Sequence, residues 1–196
     1  MDIAESGTML RDYVRWYDDV LPRAFCDHLI DAFHGTQAMH VQREHGWRAG
    51  LEDSAWTELD LSALADDALK TFFRARIDEY LERYNNELKL PIPVPRSPLL
   101  AELRMKRYRP GTREAFQLHF DSINEVASRY LVFLWYLNDV AEGGETEFPC
   151  LGVRVAPQAG RLLMFPPYWM YQHSGLPPRS GDKYILSTYM LFPSPP

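Results

Sequence analysis

Cysteine is scarce. The 196-residue chain has two, Cys26 and Cys150, far apart and in no zinc or redox spacing. That usage argues against a disulfide-stapled scaffold and for free thiols in a reducing compartment. Long hydrophobic runs are missing too: the longest, Tyr130 to Leu137, is far too short to span a bilayer. The segment Met1 to Thr8 is acidic and polar, the wrong character for a signal peptide. Nor is there an excess of positive charge. With 21 basic and 27 acidic residues interspersed and a net charge of −6, no basic footprint speaks for nucleic acid. Internal repeats and low-complexity segments are absent, apart from the Pro-Ser-Pro-Pro tail. The expectation is a soluble cytoplasmic protein, one domain over residues 1–196 with a substantial core.

What is present falls into two parts. Over residues 1–97 the signals are mainly helical, the support of the domain. Pro22 precedes apolar positions Ala24, Phe25, Leu29, Ile30 and Phe33, the spacing of an amphipathic helix with proline near its first turn. A polar stretch up to Ser54 allows one short strand, Met39 to Gln42. From Asp60, a plausible N-cap, to about Leu88 apolar residues recur every three or four positions, predicting one long helix packed on a sheet.

After Pro91-Ile-Pro-Val-Pro95 the pattern changes. Over residues 98–192 short runs rich in β-branched and aromatic residues alternate with Gly, Pro, Asn and Asp. They predict strands at 100–108, 116–119, 130–137, 153–156, 161–165 and 184–192. Helices followed by many short strands imply an α+β chain whose strands form a sandwich or barrel.

The chemistry gathers in this second part. His119 and Asp121 are one residue apart on the strand Ala-Phe-Gln-Leu-His-Phe, so their side chains share a face. Alone, His-x-Asp also describes surface and capping pairs. A further imidazole from another strand would complete a two-His, one-carboxylate set, which binds a divalent metal on one side and leaves the opposite positions open. Of six histidines, His119 and His173 lie on strands or strand edges of the β-rich part. Further on, Lys183 heads the run Lys-Tyr-Ile-Leu-Ser-Thr-Tyr-Met-Leu-Phe. Alternation puts it on one face with Ile185, Ser187 and Tyr189. If that face is interior, the ammonium needs an anion, and a ligand carboxylate is the simplest one. If Lys183 opens the strand at a solvated edge, it needs none.

From Leu103 to Phe192 the chain resembles the prolyl 4-hydroxylase-like branch of the Fe(II)- and 2-oxoglutarate-dependent dioxygenases. The matching pieces are Tyr108-Arg-Pro-Gly111, His119-Phe-Asp121, Tyr136-Leu-Asn138, Gly143-Gly-Glu-Thr-Glu-Phe148, Gly160-Arg-Leu-Leu-Met-Phe165, His173 and Lys183. The resemblance implies a double-stranded β-helix (jelly-roll) core with N-terminal supporting helices. It implies Fe(II) on His119, Asp121 and His173, and 2-oxoglutarate with its far carboxylate on Lys183. Tyr108, Tyr136 and Ser187 then flank the co-substrate, with O2 and ascorbate as further reactants. Hydroxylation of a C–H bond, of a prolyl or other amino-acid residue, would release succinate and CO2. The substrate would be a peptide, a protein or a small molecule. Arg161, Trp169 and Tyr189 are candidate substrate contacts, and the stretches 39–56 and 121–129 are expected to flank the mouth of the site. A cupin-like metal-binding protein, or a metal-dependent hydrolase with zinc in the same triad, are the rival readings.

Overall fold

The computed structural model describes residues 8–47 and 50–193. The first seven residues, Arg48, Ala49 and the tail from Ser194 lie outside them. Two antiparallel sheets and two α-helices stack in three layers. In chain order the elements are β1 (Arg15–Tyr17), α1 (Arg23–Gly35), β2 (Val41–Arg43), β3 (Trp56–Asp60), α2 (Asp67–Leu88), β4 (Arg104–Tyr108), β5 (Phe116–His119), β6 (Arg129–Tyr136), β7 (Thr146–Phe148), β8 (Val153–Val155), β9 (Leu162–Phe165), β10 (His173–Gly175) and β11 (Lys183–Leu191). The major sheet has seven strands in the order β1-β9-β6-β11-β4-β3-β2, and the minor sheet four, β5-β10-β7-β8.

The middle layer explains the long apolar runs. A strand covered on both faces has no polar side to show, and β6 and β11 at the centre of the major sheet are such strands. Leu131, Phe133 and Trp135 of β6, with Tyr184, Leu186 and Met190 of β11, pack beneath the helices against Phe33, Phe73, Ile77 and Tyr84. Val132, Leu134 and Tyr136, with Ile185, face the minor sheet and meet Phe148 and Val155. Phe73 of α2 meets Trp135 edge-on, ring centroids 5.3 Å apart. Emptying either position would cost about 3–5 kcal/mol.

The long apolar stripe from Asp60 is not one helix. Asp60 ends β3 and caps a single 3-10 turn, Leu61–Ala63, by accepting from the Ala63 amide. The chain then restarts at Asp66, whose carboxylate accepts from the Leu69 amide and opens α2. Two acidic caps six positions apart break a pattern that apolar spacing alone reads as continuous. Residues 8–97 also contribute three strands, β1, β2 and β3, to the major sheet besides the two helices. Cys26 is buried, Cys150 is exposed, and neither is in a disulfide. No helix among the described residues is long and apolar enough to cross a membrane.

Candidate active site

Register builds the centre. In the minor sheet β10 runs antiparallel to β5 with His173 directly opposite His119. The imidazoles, whose ring centroids are 4.3 Å apart, therefore come from neighbouring strands rather than from a mobile loop. Asp121 follows just past the end of β5, where its amide donates to the Pro167 carbonyl at 3.0 Å. Ligand atoms of His119, Asp121 and His173 all lie within 4.8 Å of one another.

Hydrogen bonds decide which ring nitrogens face inward. His119 Nδ1 lies 2.7 Å from the Gln117 carbonyl and His173 Nδ1 lies 3.0 Å from the Tyr171 carbonyl. A carbonyl only accepts, so each Nδ1 carries the proton and each Nε2 of the neutral ring keeps a lone pair. Those lone pairs sit 3.3 and 3.5 Å from the two oxygens of Asp121. Acceptors facing acceptors in a buried spot repel, and a cation between them removes the conflict. Burial, aided by His119, pushes the His173 imidazole down to about 4 and so keeps it neutral. The Tyr189 hydroxyl donates to Asp121 Oδ1 at 3.2 Å and fixes the carboxylate. Tetrahedral zinc or open-sided iron both suit this donor set.

Behind the triad is a small pocket lined by Tyr108, Thr146, His173, Gly175, Lys183, Ser187 and Tyr189, among others. Lys183 faces it, as alternation along β11 requires, and is 2% exposed. It does not lie at a solvated edge. Its ammonium makes no hydrogen bond or ion pair among the described residues, and lies 5.4 and 5.6 Å from the Tyr108 and Tyr136 rings. Gly175 leaves room for a ligand: a Cβ there would stand 3.8 Å from Lys183 Nζ. Burial pushes both the Tyr108 and Tyr136 phenols up, so they stay protonated. The Tyr136 hydroxyl donates to Thr146 Oγ1 at 2.6 Å, so this tyrosine braces the pocket from beneath.

In front of the triad opens a cleft of about 520 Å³. Its walls include Arg43, Trp47, Leu51 and Trp56 from one side and Ile123, Asn124, Val126 and Arg129 from the other. Both are the stretches expected to flank the mouth. Tyr189 lines cleft and pocket alike. Arg161 and Trp169 do not reach this centre. Arg161 is tied to Asp18 at 2.6 Å, to the Ala156 carbonyl and to Gln158. It lines a separate depression with Asp19 and Pro157. Trp169 stands 65% exposed and lines neither cavity. Both sit in the segments that carry motif residues, but alternation and turn geometry aim them elsewhere. Sequence reasoning missed Lys106, Phe116 and Thr146, which line the pocket. For Lys106 a signal existed: it is two positions from Tyr108 on the same strand face.

Residues 103–191 match the family model described as the 2OG-Fe(II) oxygenase superfamily. "Probable prolyl 4-hydroxylase 9" of Arabidopsis thaliana is 30% identical over 114 residues, 43% of this chain and 38% of that protein. "Probable prolyl 4-hydroxylase 11" of the same plant is 29% identical over 147 residues, 71% of this chain and 48% of that one. The chain thus spans less than half the length of either curated relative. Among solved structures, the viral collagen prolyl hydroxylase of Paramecium Bursaria Chlorella virus-1, in its 2OG complex, superposes with a TM-score of 0.62 at 21% identity, covering 90% of this chain and 94% of that one. A prolyl hydroxylase from Trichoplax adhaerens, in complex with a hypoxia inducible factor peptide fragment, gives 0.70 at 14% identity, covering 92% and 84%. The two-sheet core is therefore the double-stranded β-helix. Motif order, fold and donor set converge on the 2OG-Fe(II) oxygenase superfamily, whose model residues 103–191 match.

Proposed function

We propose that the chain is an Fe(II)- and 2-oxoglutarate-dependent dioxygenase that hydroxylates a C–H bond of a prolyl or other aminoacyl group. One observation carries this reading: inward-facing acceptors on His119, Asp121 and His173 stand beside a pocket that ends in the unpartnered ammonium of Lys183. When bound, Fe(II) with 2-oxoglutarate and O2 supplies an oxidation that yields succinate and CO2 and puts one oxygen atom into the substrate C–H bond.

The chain's own tasks are ligation, orientation and exclusion of water. His119, Asp121 and His173 would hold the metal. Lys183 would pair with the far carboxylate of 2-oxoglutarate, a point charge adequate for a single anion. Tyr108 and Ser187 would line the co-substrate, and Tyr136 would brace Thr146. Tyr189 would keep Asp121 aimed and form part of the wall against which substrate lies. A cupin-like protein or a zinc hydrolase with the same triad has no use for a buried cation at the pocket's end. That leaves the dioxygenase reading ahead. The two solved structures above, one a 2OG complex and one holding a peptide, support a 2-oxoglutarate co-substrate and a peptide or protein substrate.

The reading also takes residues 1–97 and 98–192 as one working domain, with ascorbate as auxiliary reductant. It takes the compartment to be the cytoplasm, as the free thiols suggest. Nucleic-acid and membrane partners are not part of it. Anaerobic addition of Fe(II) and then 2-oxoglutarate tests the centre. A weak visible charge-transfer band and, on exposure to air, succinate release are expected. A protein that binds the metal but gives neither would return the site to the hydrolase or cupin readings.

A further inference from the structure

Strand β4 sends Arg104, Lys106 and Tyr108 to the face that carries the site, while Met105 packs beneath the helices. Lys106 lies opposite Glu58 on β3 and opposite Ile185 on β11. Register alone would pair it with Glu58. It does not: Glu58 accepts from the Trp56 indole at 3.0 Å and lies 3.5 Å from Arg43 and 3.8 Å from Arg104. The Lys106 ammonium instead sits 4.8 Å from the Trp56 ring and 4.9 Å from the Phe116 ring. Those two rings stack on each other at 4.7 Å. Among the described residues it makes no hydrogen bond or ion pair, although its three hydrogens call for acceptors.

Position decides which acceptor is missing. Lys183 lines the small pocket and not the cleft, whereas Lys106 lines both, beside His119 and Asp121 at the place where they join. An anion that enters by the cleft, the route of the molecule to be oxidised, therefore meets Lys106 and not Lys183. Burial pushes the Lys106 ammonium down, with Glu58 and Asp121 opposing the fall and Arg129 and Arg104 adding to it. An incoming carboxylate would relieve that cost, and the two aromatic faces hold the ammonium in place to meet it.

We propose that Lys106 anchors a carboxylate of the primary substrate, so that the site selects an aminoacyl group bearing a carboxylate close to the carbon that is hydroxylated. This rests on the dioxygenase reading above. The carboxylate belongs to a free amino acid, to a peptide C-terminus, or to an acidic side chain beside the target residue.

Substrate-stimulated succinate release separates these sources. The arms are the common L-amino acids as free acids and as primary amides, acetylated tripeptides ending in acid or in amide, and the same blocked peptides with glutamate or glutamine beside the variable residue. Wild-type protein is expected to be stimulated by at least one acid about tenfold or more above its matched amide, the usual range for a hydrogen bond to a charged group. Lys106→Met should lose that preference, and Lys106→Arg should regain part of it. Calorimetric binding of the same acid to Zn(II)-loaded protein with 2-oxoglutarate should weaken about tenfold in Lys106→Met, a readout that needs no turnover. Acids and amides acting alike, or no acid acting on protein that does release succinate, overturns the inference. So does a KM for 2-oxoglutarate that rises in Lys106→Met, which would assign the residue to the co-substrate. Wild-type protein that never releases succinate refutes the dioxygenase reading itself, a distinct result.

Discussion

Asn138 grips the backbone on both sides of Lys183. Its Nδ2 donates to the Asp182 carbonyl at 2.7 Å, and its Oδ1 accepts the Tyr184 amide at 2.8 Å. The end of β6 thereby sets where β11 begins and where the ammonium points. Each bond contributes about 0.5–1.5 kcal/mol, so Asn138→Ala should raise the KM for 2-oxoglutarate about three- to tenfold. Metal affinity should stay as it was, since no ligand moves. Kinetics at saturating Fe(II), with a chelator competition for the metal, check both halves. An unchanged KM would detach Asn138 from the pocket.

Lys183 sets a pH dependence. Burial pushes its ammonium down to about 7, with Glu145 opposing the fall and Lys106 adding to it. Below that value the free protein already carries the charge, and the affinity for 2-oxoglutarate should be flat. Above it the neutral amine must take up a proton to meet a carboxylate. The Kd should then rise about tenfold per pH unit. Lys183→Arg should flatten the profile while keeping part of the affinity, because a guanidinium does not titrate. Calorimetry on Zn(II)-loaded protein across this range measures it. A wild-type Kd that ignores pH would mean that the anion is held elsewhere.

Tyr189→Phe isolates one hydrogen bond. The hydroxyl on Asp121 Oδ1 is lost, while the ring on which the Arg129 guanidinium stacks, 3.8 Å from its centroid, remains. Metal affinity should fall about tenfold, the lower end of what such supporting contacts contribute. Competition against a chromophoric chelator reads the change directly. Equal affinities would reduce Tyr189 to a cleft wall.

Gly160 carries the docking of the N-terminal segment. It has φ of +81°, and its carbonyl accepts from the amides of Val20 and Leu21 at 2.9 and 3.2 Å. A Cβ would collide with the Leu21 carbonyl oxygen. Gly160→Ala should therefore lower stability by about 2–4 kcal/mol through strain and a displaced segment. Urea unfolding checks the value, and a loss below about 0.5 kcal/mol would show that the segment yields freely.

The sequence made part of this legible, and physical reasons separate the two parts. Strands β5, β6 and β11 were readable because their composition and punctuation leave few other choices. The shared direction of His119 and Asp121 was an expectation from alternation, although β5 ends at His119 and Asp121 follows just past it. Strand β3 was hidden because its covered positions include Thr57 and Glu58, whose polar groups are satisfied by Gln42, Arg43 and Trp56. Strand β1, three residues long, offers no period. Lys106 was passed over although it shares a strand face with Tyr108, and only coordinates show that Glu58, opposite it on the hidden β3, is engaged elsewhere. Arg161 and Trp169 looked functional by residue type, and type says nothing of direction.

The three-layer stack gives each of the two central strands an alternating fate. Along β11 the even positions Tyr184, Leu186 and Met190 belong to the helix-side core, and the odd ones, Lys183, Ile185, Ser187 and Tyr189, to the chamber. Along β6 the order reverses, with Leu131, Phe133 and Trp135 in the core and Val132, Leu134 and Tyr136 on the chamber side. A saturation scan of these segments should therefore yield a sawtooth. Co-substrate affinity should respond at the chamber parity alone, while abundance should fall at both, since Val132, Leu134, Tyr136 and Ile185 pack in a second core. Partners in register should share a fate, Ile185 with Tyr136 and Leu186 with Trp135, because a single sheet serves as the floor of one compartment and the ceiling of the next.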